Sequence, residues 1–414
     1  MNNTTTAADE NTRSRHGFRT LAVHAGQGLD SSTGALSLPI YSTTSFGYGD
    51  FDSGEKRFSG AEPGFLYSRF ANPTVAALEK KMAILEGGES ALACASGMAA
   101  ICATLFGLLS AGDEMVYVGT LYGGTLGVMQ NLLPRMGIRV TGVSDLSGLR
   151  ESITTKTKLV YVETPSNPTL DIIDLGEISS AARSVDSITV ADNTFSTPYL
   201  TRPIDFGIDI VVHSVTKYIG GHGDATGGIV VGSKILLDKI RTTGAKQFGG
   251  CMSPNDAFLF VRGLKTLPLR MDACSGSAYA IASWLQKHPL IRRVFYPGLD
   301  DHPGYDVAVR QMKSFGGILS FEIQGGRAQA RMFLDGLRVI TQAVSVGDVD
   351  SLACHPASTT HSAVPESTRI LHGVTESLIR LSIGIEDEVD LKEDIATALS
   401  RISDTRLDKN APGV

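Results

Sequence analysis

From about residue 72 onward the apolar and polar positions follow two alternating rhythms. Val75 to Leu85 carries apolar residues at helical spacing and stops at Gly87-Gly88, a pair suited to a helix C-terminus. Ser96 to Leu109 predicts a second helix. Short runs rich in Val and Ile follow at Met115 to Val118, Val140 to Val143, Leu159 to Val162, Ile188 to Ala191, Ile208 to Val212 and Ile229 to Val231. Runs of this length, polar only at their ends, predict strands buried on both faces. Helical stretches at Leu126 to Met136 and Leu175 to Val185 separate some of them. The pattern predicts an α/β fold, a mostly parallel sheet wrapped by helices.

The flanks have a different texture. Residues 1–71 look irregular, with Ser, Thr, Gly and Pro interrupting the aromatics around Pro39-Ile40-Tyr41 and Phe46 to Phe51. An arm of this kind has little core of its own and is expected to lie across another domain or a neighbouring subunit. The α/β domain then spans 72–268. Residues 269–414 predict a smaller α+β domain, with helices at Asp272 to His288, Ala328 to Leu337 and Leu391 to Ser400. Its strands are expected at Val294 to Tyr296 and, half-exposed, at Gly316 to Ile323. The polar residues from about Asp404 are expected to fray.

Composition narrows the function classes. A chain of 414 residues with 42% apolar and 19% charged residues is globular and long enough for two or three domains. The net charge of -6 and the scattered Lys and Arg argue against a nucleic-acid partner. The most continuous apolar stretch, Met98 to Leu109, falls short of the ~20 residues of a membrane span. The first 17 residues are polar and lack a signal core. Five cysteines, Cys94, Cys102, Cys251, Cys274 and Cys354, are odd in number and include no C-x-x-C. They suit a reducing cytosol, so a cytoplasmic protein is expected.

In an open α/β sheet, ligands bind beyond the carboxyl ends of the strands. Asp192 and Asn193 follow one predicted strand, and His213 to Lys217 another. Glu163 to Asn167 follow a third, and Thr120, Tyr122, Gly123 and Gly124 a fourth. A Lys, an Asp, a Tyr, hydroxyls and small residues suit a cofactor that needs an amine, an anion for a ring nitrogen and donors for a phosphate. Pyridoxal 5'-phosphate is that cofactor. A lysine can bond its aldehyde and carry protons once its pKa is lowered. Ser96-Gly97-Met98 opens a predicted helix with a hydroxyl and a glycine, as a phosphate dianion requires.

Taken singly, each residue also has a structural explanation. Lys217 suits a solvated loop, Asp192 a turn or helix cap, Tyr122 plain packing and Arg380 an ion pair. His213 and His222 have no cysteine pair near them, so no metal is expected. The Gly220 to Gly228 loop has Thr226 where a dinucleotide loop needs its third glycine, and it precedes a strand rather than a helix.

The segment His213-Ser-Val-Thr-Lys217-Tyr-Ile-Gly-Gly-His222 resembles the lysine motif of the Cys/Met-metabolism family of pyridoxal phosphate enzymes. That family includes methionine γ-lyases, cystathionine γ-lyases, cystathionine γ-synthases and O-acylhomoserine sulfhydrylases. Supporting motifs follow in order: Tyr67-Ser-Arg69-Phe-Ala-Asn72-Pro73-Thr74, Ala95-Ser96-Gly97-Met98-Ala99, Glu163-Thr-Pro-Ser-Asn167-Pro168, Ala191-Asp192-Asn193-Thr194, His355-Pro-Ala-Ser-Thr-Thr-His361 and Arg380-Leu-Ser-Ile-Gly384. The similarity runs from about His24 to Ala398 and implies a fold-type-I architecture. It makes Lys217 the Schiff-base lysine, Asp192 the partner of the ring nitrogen, and Tyr122 a stacking residue that assists proton transfer. Ser96, Gly97, Met98, Ser214 and Thr216 would form the phosphate site, and Asn167 would bond the ring hydroxyl. Arg380 with Ser345 would hold the carboxylate of a small amino-acid substrate. Tyr67 and Arg69 would reach the phosphate of a neighbouring subunit, implying a homodimer at least, with a homotetramer as the expected assembly.

Two positions bear on the reaction. Where cystathionine-handling members of the family carry Glu, this chain has Val344, which offers no partner for a distal ammonium and disfavours cystathionine. Where bacterial methionine γ-lyases usually carry Cys, it has Gly124, and Lys246-Gln247 also departs from their Lys-Asp. The expected activity is α,γ-elimination on methionine or a related γ-substituted amino acid. The alternative is γ-replacement on an O-acylhomoserine by a thiol or a carbon nucleophile.

Overall fold

Val- and Ile-rich runs that are apolar on both faces suit burial between two layers, and here five of the six lie inside a seven-stranded sheet; the sixth, Val140 to Val143, forms an edge strand and, contrary to expectation, is not buried. The computed structural model describes residues 16–362 and 364–408. Most of the polar N-terminal stretch and the last six residues lie outside the described residues. The chain divides into two compact units. The first takes the described residues up to Val118 with Gly124–Val162 and Leu175–Pro268. The second takes Gly119–Gly123, Glu163–Asp174 and the described residues from Leu269.

The strands of the first unit are β1 (Ser90–Cys94), β2 (Glu114–Val118), β3 (Arg139–Val143), β4 (Thr157–Glu163), β5 (Ile188–Asp192), β6 (Ile210–Ser214) and β7 (Gly228–Gly232). Their order across the sheet is β1-β7-β6-β5-β4-β2-β3. The pairs β2/β3, β2/β4 and β5/β6 are parallel, as crossovers with intervening helices require. The pairs β6/β7 and β1/β7 are antiparallel. A loop at 215–227 joins β6 to β7 without a crossover helix, so the chain simply returns. Because β7 runs opposite to both neighbours, the carboxyl ends of β1, β5 and β6 share one edge.

The expected strands form within one or two residues of their runs, but β1, Ser-Ala-Leu-Ala-Cys, was not among them. Alanine is a poor strand former, and pairing with β7 overrides that preference. The helix Pro73–Glu86 has Asn72 as N-cap, accepting from the Thr74 N–H, and ends at Gly87 with φ 94°. The expected helix over Leu126 to Met136 is broken into Gly123–Gly127, a π turn at Val128–Leu132 and a 3-10 turn at Pro134–Met136. Pro134 has no N–H with which to continue an α-helix. Among the described residues before Pro73 are two short helices, Phe18–His24 and Phe51–Ser59. The first is tethered by Lys81, whose buried Nζ donates to the Ala22 carbonyl at 2.8 Å.

The second unit has a five-stranded sheet built from β8 (Ile291–Phe295), β9 (Ile318–Ile323), β10 (Thr341–Gln342), β11 (Leu352–Cys354) and β12 (Leu378–Ser382), ordered β10-β11-β12-β9-β8. Leu319, Phe321, Ile379 and Leu381 pack against Ile281 and Leu285 of the helix Leu267–Leu285, Phe333 of Arg327–Gly336, and Ile395 and Leu399 of Glu388–Asp408. Contrary to the alternation in its sequence, β9 is buried on both faces. The polar members of that alternation are satisfied inside: Ser320 donates to the Pro168 carbonyl and Glu322 accepts from the Thr375 hydroxyl, each at 2.7 Å. The last helix continues to Asp408, past the point where fraying was expected. Among the described residues no helix is long and apolar enough to cross a membrane.

Candidate active site

Beyond β1, Ser96 caps the helix Gly97–Leu108, its hydroxyl accepting from the Ala99 N–H at 3.1 Å. The first N–H groups of a helix point outward and favour an anion. Gly97 is needed there, because a Cβ would lie 2.7 Å from Cβ of Ser214 at the end of β6. The helix start and the β6 end therefore form one close-walled corner, with Met98 in the first turn. Gly228, on β7, closes the back: a Cβ there would fall 2.1 Å from the Ser96 carbonyl oxygen. Gly228→Ala is expected to displace the Ser96 cap and cost about 1–3 kcal/mol, read as a lowered denaturation midpoint with weaker cofactor retention.

Beyond β6 the chain turns at 215–220. The turn is set by backbone bonds from Lys217 N–H to Ser214 O (3.2 Å), Gly220 N–H to Val215 O (2.8 Å) and Gly221 N–H to Lys217 O (2.8 Å). Lys217 is half-buried in it. Thr216 is committed to the return strand: its hydroxyl donates to the Gly227 carbonyl at 3.2 Å and accepts from the Gly227 N–H at 3.0 Å.

Beyond β5, Asp192 is buried, and its Oδ1 accepts from the Thr194 N–H at 3.0 Å and the Thr194 hydroxyl at 2.5 Å. Thr194 in turn accepts from the Ser214 N–H at 2.9 Å, linking β5 to β6. Burial pushes the Asp192 carboxyl above its usual range, opposed by Thr194, His213 and Tyr161. Behind it, Glu86 takes His213 Nε2 at 3.0 Å and Asn193 Nδ2 at 3.2 Å, all buried. Thr194, Tyr161, Glu86 and His213 were not assigned from sequence. Only Thr194 left a local signal, the Asp-x-Thr spacing of an Asx turn.

In the second unit Arg380, on β12, is 4% exposed. Its Nη1 donates to Asn167 Oδ1 at 2.9 Å and its Nη2 to the Ser345 carbonyl at 3.0 Å. Its buried Nε has no partner among the described residues. Asn167, expected at a ring hydroxyl, thus has its oxygen engaged by Arg380, which leaves its amide N–H groups as donors. His361 is pushed down to about 4, first by burial and then by Arg380, His372 and Arg369, so near neutral pH it adds no charge beside Arg380. The Tyr122 N–H donates to Glu163 Oε2 at 2.7 Å, which leaves its half-exposed ring on the surface of this unit. Val344 is exposed. Tyr67 and Arg69 belong to the first unit. Arg69 lies over the Phe70 ring at 4.6 Å and donates to the Lys246 carbonyl at 2.8 Å.

These residues fit pyridoxal 5'-phosphate. A desolvated carboxylate is stabilised by a cation such as a protonated ring nitrogen, and the start of the Ser96-capped helix, where Gly97 leaves no space for a Cβ, favours an anion. Lys217, in the turn that follows β6, is an amine of the kind the cofactor's aldehyde requires.

The chain is a pyridoxal-phosphate-dependent enzyme of the α/β class. It belongs to the Cys/Met metabolism family of such enzymes, whose profile matches residues 19–400. It is 44% identical to the L-methionine gamma-lyase of Fusobacterium nucleatum subsp. polymorphum, over 94% of this chain and 99% of that one. It is 43% identical to the cystathionine gamma-lyase of Bacillus subtilis (strain 168), over 93% and 99%. The solved cystathionine gamma synthase of Xanthomonas oryzae pv. oryzae superposes with a TM-score of 0.90 at 40% identity, covering 94% of this chain and 99% of that one.

Proposed function

We propose that this chain is a carbon–sulfur lyase acting on L-methionine or a related γ-substituted amino acid. With one water consumed, α,γ-elimination gives 2-oxobutanoate, ammonia and a thiol. The observation that carries the reading is Arg380: a buried guanidinium already oriented by Asn167 and Ser345, with its Nε–H still to be satisfied. An amino-acid carboxylate matches that fork. Val344, next along the chain to Ser345, is apolar and suits a substituent without a distal ammonium.

Pyridoxal 5'-phosphate, when bound, supplies an electron sink for the charge left at Cα. Lys217 is assigned its covalent attachment and then the protons at Cα and Cβ. Loss of the second proton lets the γ-substituent depart. Asp192 would keep the ring nitrogen protonated, and Tyr122 would lie against the ring and assist proton transfer. Ser96, Gly97, Met98, Ser214 and Thr216 are assigned to the phosphate, Thr216 by holding the turn that its hydroxyl spans. Asn167 is assigned to the ring hydroxyl. Tyr67, with its ring exposed, and Arg69 are assigned to a neighbouring subunit's phosphate, which makes a homodimer the minimum working form and a homotetramer the expected one. The cytoplasm is the expected compartment.

Product analysis tests this. Pure holoenzyme is incubated with methionine, and separately with O-acetylhomoserine with and without a thiol. The proposal predicts 2-oxobutanoate from methionine. Thioether from the ester, with no keto acid from methionine, would instead establish γ-replacement, the reading favoured by Gly124 in place of a bulkier side chain beside Gly123. Arg380→Ala is expected to raise KM on the order of 10²-fold while kcat changes less. Arg380→Lys should recover only part of the loss, because a point charge lacks the fork.

A further inference from the structure

Two cysteines that the reaction does not use face each other across a pair of extended segments. β1 ends at Cys94, and an isolated antiparallel bridge pairs it with Cys251. The Ala95 N–H donates to the Gly250 carbonyl at 2.8 Å, so the residue after one cysteine bonds the residue before the other. That arrangement defines a non-hydrogen-bonded antiparallel pair, in which Cα atoms lie about 4.5 Å apart and both side chains leave the same face. A disulfide needs a Cα separation of roughly 4.4–6.8 Å, a range that includes the spacing of such a pair. Cys251 is exposed and lines a cavity with Arg69, Glu79 and Arg241. Cys94 is 1% exposed, and no disulfide joins the two.

We propose that Cys94 and Cys251 form a redox modification site that closes to an intrachain disulfide when the enzyme meets a peroxide. The accessible Cys251 sulfur attacks the peroxide, the O–O bond breaks, and one water leaves after proton transfer, with a sulfenic acid on Cys251. The Cys94 sulfur then attacks Cys251. The S–O bond breaks and a second water carries away the Cys94 proton. Two electrons pass from the two sulfurs to one peroxide, and a dithiol reverses the bond by exchange. Burial, with Glu79 and Cys251 adding to it and Arg241 opposing, pushes the Cys94 thiol up to about 12. A thiol held protonated in this way reacts poorly with peroxide itself, and it is the pairing with Cys251 that brings it to the oxidised sulfur. The bond forms two residues before Ser96, so the oxidised form staples the 250–251 segment to the start of the capped helix. This inference stands apart from the choice of substrate.

The test uses holoenzyme treated with hydrogen peroxide, denatured, alkylated and digested with trypsin without reductant. Trypsin leaves Cys94 together with Cys102 in the peptide 82–135 and Cys251 in 247–262, so Cys102→Ala is run beside the natural sequence to make the linkage unambiguous. The expected product in both is the two peptides joined, lighter than their sum by two hydrogens, released by dithiothreitol and absent from Cys251→Ser. Full alkylation of Cys94 while Cys251 is recovered as sulfinic acid, or as a link between two chains, would overturn the proposal. So would a cross-link to Cys94 that persists in Cys251→Ser.

Discussion

Lys217→Ala is expected to lose turnover by on the order of 10³-fold or more, because the attachment point and the proton carrier disappear together. The fold should survive the change. The turn holding Lys217 is made of backbone bonds to Ser214 and Gly221, which alanine retains, and the lysine side chain is only half-buried. The thermal midpoint of the cofactor-free variant should therefore stay close to that of the natural chain while 2-oxobutanoate release vanishes. Lys217→Arg should be equally inactive, since a guanidinium stays protonated and cannot act as a base. Near-normal turnover in either variant would exclude the assigned role.

The second large effect is expected from Asp192→Asn. The amide oxygen can still accept from the N–H and hydroxyl of Thr194, so the link to β6 through Ser214 is preserved. What is lost is the negative charge, and with it the protonation of the ring nitrogen. Fixed charges of this kind contribute about 10²- to 10³-fold to rate, and the fall should appear in kcat rather than KM. Stability should move the other way. Burial raises the Asp192 carboxyl, so the folded cofactor-free protein binds a proton that the unfolded chain has released. Its stability therefore falls as pH rises from the usual carboxylate range through the raised folded value. Removing that group should leave the cofactor-free variant at least as stable at neutral pH, with a flatter pH dependence of the unfolding free energy. A variant with normal kcat and a destabilised cofactor-free form would show Asp192 to be a structural cap alone.

The two outcomes separate residues that carry chemistry from those that carry shape. Thr194 and Gly97 shape the site, the one through hydroxyl bonds and the other through the contact a Cβ would make with Ser214. Neither should titrate in the activity profile. Arg380 joins both roles, because the bonds that orient it also satisfy Asn167 and the Ser345 carbonyl.

The Val- and Ile-rich runs were enough to find six of the seven strands in the larger sheet, and helical spacing found the helix Leu175–Arg183 between two of them, whereas the one expected over Leu126 to Met136 is broken. The ordered motifs around Lys217, Asp192 and Ser96 pointed to the cofactor; Lys217 and Asp192 each follow a strand whose apolar run is visible locally, and Ser96 opens a helix that is. The rest depended on residues far apart in sequence. Alanine-rich β1 exists as a strand through its pairing with β7, and the reversal of β7 rests on a loop with no crossover helix. The polar residues of β9 looked solvent-facing until Pro168 and Thr375 provided buried partners. Glu86 closes on His213, 127 residues away, and no periodicity reports such a contact. Pattern records which faces of a segment are apolar. It does not record which distant donor meets which acceptor, and those meetings set the charge on Asp192, the orientation of Arg380 and the pairing of Cys94 with Cys251.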